Sequence, residues 1–123
     1  MKDRPWIFIS GPYSDANPRV QMDNCAFALS YADLIWENGG AALCLNSYLL
    51  DYCTEHAQFV KAYKRLLGFC DGVLMLPKWT ESEGARQEHT EAQRLCKPTL
   101  YLDGGNVDVV GWIKELKRNG KNG

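Results

Sequence analysis

The sequence predicts a doubly wound α/β domain of four or five mainly parallel strands. Three observations predict it: short apolar runs alternate with helix-patterned segments, turn signals end each run, and the runs are nearly continuous in apolar residues. Strand–helix–strand units close into parallel sheets by right-handed crossovers. Strands covered on both faces lose the polar alternation of a half-exposed sheet.

Trp6-Ile7-Phe8-Ile9 is the first such run, and Ser10-Gly11-Pro12 stops it. Asn17-Pro18 reads as an N-cap followed by proline at the first helical position. Val20, Asn24, Phe27, Tyr31 and Leu34 then recur at steps of four and three, one helical face, which Gly39-Gly40 ends. Ala41 to Leu45 is a second buried strand, and the stretch from Asn46 to about Thr54 is loop-like. From Glu55 to Phe69, the residues Phe59, Ala62, Tyr63, Leu66 and Leu67 form another helical stripe. Gly72 to Leu76 is the third strand, stopped by Pro77. A loop from Lys78 to Glu83 leads into a helix from about Gly84 to Cys96. Thr99 to Leu102 is the fourth strand, closed by Asp103-Gly104-Gly105. Val109 to Arg118 reads as the last helix of a single domain spanning 1–118, and 119–123 as a fraying tail.

The chain has 123 residues, 46% hydrophobic and 24% charged, ordinary values for one globular domain. Its 14 basic and 15 acidic residues nearly cancel, which argues against a nucleic-acid polymer or a polybasic membrane contact as partner. No apolar run reaches the roughly 18 residues of a membrane span, and the start lacks a signal-peptide pattern. Cys25, Cys44, Cys53, Cys70 and Cys96 are an odd set without a C-x-x-C pair. That favours reduced thiols in a cytoplasmic protein over disulfides or zinc. With two histidines in the chain, no dedicated metal site or cofactor is expected.

Ligands of open α/β sheets bind beyond the carboxyl ends of the strands, so the loops there are the place to look. Ser10-Gly11-Pro12-Tyr13-Ser14 follows the first strand, and Trp79 to Glu88 follows the third. Glycines let a backbone approach a ligand, and N–H groups at a helix start favour a phosphate. Ser82 is either a hydroxyl donor to a ligand or a plain N-cap. Glu88, one turn into the next helix, is either a chemical group or a solvated surface glutamate. Trp79 either stacks on a base or packs over the sheet edge, and Arg19 is a contributor of positive charge or an exposed helix residue. Trp6, Trp36 and Trp112 read as core or oligomer contacts. His89 reads as surface or interface, being turned about 100° from Glu88 around the helix.

Taken together, Ile9-Ser10-Gly11-Pro12-Tyr13-Ser14, Cys70-Asp71 with its apolar strand to Pro77, and Trp79-x-x-Ser82-x-Gly84-Ala85-x-x-Glu88 resemble the nucleoside 2-deoxyribosyltransferase-like superfamily. The similarity is to its short bacterial and phage branch and covers roughly residues 6 to 102. The resemblance implies a flavodoxin-like fold acting on N-glycosidic bonds of nucleosides or nucleotides, with Glu88 as the nucleophile and Ser82 and Gly84 at the sugar's 5′ end. A serine at position 82, where nucleoside-preferring relatives carry aspartate, implies a 5′-monophosphate substrate. Ser10, Gly11, Pro12 and Arg19 complete the expected ligand contacts, with Trp79 beside them. Asp71 either tunes the strand entry or serves as a catalytic group near the cleft, and Tyr13, Tyr63, Asp51 and His56 are proton-donor candidates. The resemblance also implies a homodimer or higher homo-oligomer. Two positions depart from the family pattern: Phe8 stands where a tyrosine bonds the nucleophile, and Tyr63 where an aspartate helps protonate the base. Three readings follow: an N-glycosidase or deoxyribosyltransferase, a nucleotide-binding protein that has lost the chemistry, or an interaction domain without a ligand.

Overall fold

A computed structural model describes residues 4–12, 15–44, 56–102 and 107–122, with side chains described at all of these except 56–60 and 120–122. The order of elements is β1 (Trp6–Ser10), α1 (Pro18–Glu37), β2 (Ala41–Cys44), α2 (His56–Phe69), β3 (Gly72–Met75), a 3-10 turn (Trp79–Glu81), α3 (Glu83–Arg94), β4 (Thr99–Tyr101) and α4 (Val109–Asn122). The four strands form one sheet in the order β2-β1-β3-β4. Every pairing is parallel: Trp6 opposes Ala41, Ile7 opposes Gly72 and Val73 opposes Thr99. This is the expected α/β class, in the flavodoxin-like strand order.

Alternation along the central strands divides the core in two. Ile7, Ile9, Leu74 and Leu76 face one side and pack with Ala28, Ala32 and Ile35 of α1 and Val109, Ile113 and Leu116 of α4. Phe8, Val73 and Met75 face the other side, against Tyr63 and Leu67 of α2 and Ala85 and Ala92 of α3. Each large apolar side chain so buried contributes roughly 1.5–3 kcal/mol. That is why the runs in β1 and β3 carry no polar residue before Ser10.

The α1 boundaries follow local chemistry. Asn17 Oδ1 accepts the Arg19 amide at 2.9 Å, Pro18 occupies the first turn, and Gly39 leaves the helix at φ +94°. Its buried face overlaps the expected stripe at Tyr31 and Leu34, which pack against the core, and departs from it elsewhere. The sheet meets Ala28, Ala32 and Ile35, while Val20 and Phe27 are 38% and 43% exposed. Alanines let the helix axis approach the sheet, so the contact centres on the small residues and the larger ones fall to its flank. In α2, similarly, Tyr63 and Leu67 are buried and Leu66 is exposed.

Other differences are local. Ser10 is the last residue of β1 rather than the first of the turn. The last helix continues to Asn122, so the expected boundary at 118 falls inside it. Leu116 anchors its inner face, and the glycine at 120 carries a propensity penalty of about 1 kcal/mol, too small to end it. Leu45, the expected end of β2, and the following loop lie outside the described residues. Among the described residues, Cys25, Cys44, Cys70 and Cys96 form no disulfide, and no helix is long and apolar enough to cross a membrane.

Candidate functional site

From β1 the chain runs to β2 on one side and then returns past β1 to place β3 on the other. The reversal between β1 and β3 is the topological switch point, where ligand crevices form at the carboxyl ends of strands. Here those ends are Ser10-Gly11 and Met75-Leu76. They are tied together by the Leu76 amide, which donates to the Ser10 carbonyl at 2.8 Å. Gly11 has a packing reason to be glycine, because a Cβ there would lie 2.7 Å from Leu76 Cβ.

The connection after β3 brings α3 back over this point. Pro77 ends the strand and Lys78 turns the chain in the left-handed region at φ 66°. The 3-10 turn then delivers Ser82 as N-cap of α3, its side-chain oxygen accepting the Ala85 amide at 3.2 Å. The capping role weighed for Ser82 is thus observed. An added Cβ on Gly84, in the first turn, would meet nothing within 4 Å, so the space beside it is open.

Ala85, Glu88 and Ala92 share the inward face of α3 by their three- and four-residue spacing. The alanines are 1% and 0% exposed and seat the helix closely on the sheet. Glu88 is therefore carried inward, half-buried, and its Oε1 accepts a hydrogen bond from the Ser10 hydroxyl at 2.5 Å. Ser10 is a buried polar residue at 0% exposure, on the same strand face as Phe8 two positions earlier. Burial pushes the Glu88 carboxyl up to about 7, and the Ser10 hydrogen bond, which favours the charged form, offsets part of that. Glu88 is thus not a solvated surface glutamate. It is a carboxyl group with a defined partner that changes charge near neutral pH.

The remaining candidates divide. Pro12 adjoins Gly11 and is half-buried at the same end of β1. Tyr13, Ser14 and Asp51 lie outside the described residues, as does the side chain of His56. Arg19 is exposed in the first turn of α1, its amide bonded to Asn17. Asp71 does not join the site. Its carboxylate accepts the Trp6 amide at 2.7 Å, and its own amide donates to the Trp6 carbonyl at 2.7 Å. That puts it at the amino edge of the sheet, with the length of β3 between it and Glu88. These contacts fit the strand-entry reading of Asp71, a clamp on the start of β1.

Trp79 packs against the Phe8 side of the core, the sheet-edge alternative. Its ring lies 4.3 Å from that of His89 and 6.0 Å from that of Tyr101. His89 Nε2 is 2.6 Å from the Tyr101 hydroxyl. His89 is half-buried in this cluster rather than on the open surface. At the other edge, Trp6 and Trp36 meet edge-to-face at 6.1 Å and are each nearly half exposed, at 45% and 44%, while Trp112 packs on the core.

The Ser10–Glu88 contact and the Trp79–His89–Tyr101 cluster were both missed from the sequence. Alternation along β1 was the available signal for the first, since it places Ser10 on the face that α3 covers. Among the described residues, no group of three or more His, Cys, Asp and Glu side chains is placed to hold a metal ion.

The strand order and the carboxyl group at the switch point define an α/β domain of flavodoxin-like type with a candidate site at the carboxyl edge of its sheet. The chain belongs to the family described as Domain of unknown function (DUF4406), whose model matches residues 6–101. No curated protein matches it.

Proposed function

We propose that this protein breaks the N-glycosidic bond of nucleoside 5′-monophosphates through a covalent glycosyl–Glu88 intermediate, passing the sugar to water or to a second base. The observation that carries this reading is the half-buried Glu88 carboxyl, hydrogen-bonded by Ser10 beside the α3 N-terminus at the switch point. The resemblance to nucleoside 2-deoxyribosyltransferase-like proteins in the Ser82-x-Gly84-x-x-x-Glu88 segment supplies the reaction class.

In the first half, a carboxylate oxygen of Glu88 bonds to C1′ as the C1′–N bond breaks, and the base leaves with the bond pair and gains a proton. In the second half, water attacks C1′, the ester C–O bond returns its electrons to Glu88, and the water gives up a proton to balance the one taken by the base. Splitting the displacement in two lowers each barrier. The phosphate is assigned to the α3 N-terminus, where Ser82 and first-turn amides provide donors and the open space beside Gly84 admits it. Arg19 and the Gly11–Pro12 end of β1 are assigned to the same ligand. A homodimer or higher homo-oligomer is part of this reading, supported by exposed Val20, Met22 and Phe27 on α1.

The test is incubation with a panel of nucleoside monophosphates and chromatography for free base. Wild type releases base, and Glu88→Gln loses on the order of a thousand-fold or more. Equal release by both proteins overturns the mechanism. A second reading, nucleotide binding without turnover, is favoured by the buried Phe8, whose ring offers Glu88 no hydroxyl. Calorimetric binding with the nucleotide recovered intact would select it.

A further inference from the structure

We infer that Ser10 is a positioning residue for Glu88: its hydroxyl holds one carboxylate oxygen and so sets which oxygen is presented for reaction. This rests on the glycosyl-transfer reading for its catalytic consequence, while the geometric part stands on the contact itself. It replaces a direct ligand contact as the role of Ser10.

Three observations carry it. Ser10 is 0% exposed, so its hydroxyl is directed into the protein rather than offered to solvent. Its oxygen lies 2.5 Å from Glu88 Oε1, a close hydrogen bond. Its backbone cannot drift, because the Leu76 amide donates to the Ser10 carbonyl and Ser10 pairs with Met75 in the ladder. The donor is therefore fixed by the sheet while the acceptor rides on a helix.

Fixing the donor has a chemical result. The terminal torsion of a glutamate is broad, so an unrestrained carboxylate presents either oxygen over a wide arc. A hydrogen bond to Oε1 leaves Oε2 as the attacking atom. After attack, Oε1 is the carbonyl oxygen of the glycosyl ester and still accepts from Ser10. When water breaks the ester, the same hydrogen bond receives the returning carboxylate. Ser10 transfers no proton in either half.

Among the described residues, the side-chain hydrogen bond that acts on the titration of Glu88 comes from Ser10. Phe8 on β1 and Met75 on β3 have no donor. Among the described residues, Tyr63 of α2 and Cys70 just after it are the titratable members of the core cluster on this side of the sheet. On α3, His89 is engaged with Tyr101 and Glu91 with Arg94. Among the described residues, the raised titration of Glu88 comes from burial, with the Ser10 hydrogen bond opposing it.

The test compares wild type with Ser10→Ala and Ser10→Thr, each checked for folding by circular dichroism. Glu88 is followed directly by carbon-13 NMR of its labelled carboxyl, and turnover by kcat and KM against pH. Ser10→Ala is expected to move the carboxyl titration upward by about one unit or more. It should lower kcat about ten- to a hundred-fold with KM within about three-fold, and shift the acid limb of kcat by the same interval. Ser10→Thr, which restores a hydroxyl, should recover most of both. A titration in Ser10→Ala that coincides with wild type overturns the assignment, whatever the turnover. Absence of turnover in wild type, with the titration still moved, overturns the glycosyl-transfer reading and leaves the link between Ser10 and Glu88 in force. If Ser10→Ala fails to fold, the Ser10→Cys titration decides: a weaker donor must give an intermediate upward shift, and an unmoved curve overturns the assignment.

Discussion

Ser10 and Glu88 stand 78 positions apart in the chain and meet at 2.5 Å, the hydroxyl of a strand end donating to the carboxyl of a helix. The strand supplies rigidity and the helix supplies burial, so burial raises the titration of the acid while the contact opposes it.

The first expectation concerns pH. Glu88 titrates near 7 in the folded protein against 4.5 for an ordinary glutamate. The native state therefore holds its proton more tightly than the unfolded chain, and stability falls as pH rises from about 4.5 through 7. Above that window the loss is complete, on the order of 3 kcal/mol at most. Glu88→Gln should abolish this dependence and melt higher than wild type at pH 8, measured by calorimetry at both ends of the window. Turnover should run the opposite way, rising through pH 7 as the nucleophile ionises.

Ser82 offers a charge test that spares the fold. Aspartate is as good an N-cap as serine and is favoured by the helix dipole, so Ser82→Asp should melt within about 1 kcal/mol of wild type. A carboxylate facing a phosphate repels it. Use of nucleoside monophosphates should fall by about ten-fold or more while use of the free nucleosides does not. Parallel assays on matched nucleotide and nucleoside pairs check this.

Two glycines in the site loops should behave oppositely. Gly11→Ala drives a Cβ to 2.7 Å from Leu76 Cβ and should destabilise by about 1–3 kcal/mol. Gly84→Ala meets no atom of the described residues beyond its own helical turn within 4 Å and should hold or raise stability by up to about 1 kcal/mol. Its KM for a nucleotide should nonetheless rise several-fold, because the added methyl enters the space assigned to the phosphate. Denaturant melts and steady-state kinetics on the two variants distinguish packing from ligand contact.

Asp71 should matter to stability and not to rate. Asp71→Ala removes the acceptor of the Trp6 amide at the amino edge and should cost roughly 1–3 kcal/mol. The kcat of the folded fraction should stay within about two-fold of wild type. A loss like that of Glu88→Gln would contradict the placement.

Much of the architecture was legible because its signals are local. Asn17-Pro18 states where a helix starts, Gly39 where it stops, and an uninterrupted run such as Gly72 to Leu76 can be covered on both faces. The face of α1 was legible only at Tyr31 and Leu34, because periodicity weights large side chains. The sheet instead selects Ala28 and Ala32, whose value lies in how little space they fill. Glu88 stood out from its motif, but its partner did not, since helix periodicity gives a direction around an axis and says nothing of what lies beneath. The place of Asp71 was legible too: a residue that precedes a parallel strand sits at the edge opposite the site. The Trp79–His89–Tyr101 cluster joins a turn, a helix and an edge strand, a meeting that no single stretch of chain announces.

The acid buried beneath α3 also shapes what selection can do with this protein. A laboratory lineage chosen for heat resistance alone at alkaline pH would gain by discarding Glu88 for a neutral side chain. Its retention across generations would mark a demand for chemistry strong enough to keep the less durable protein.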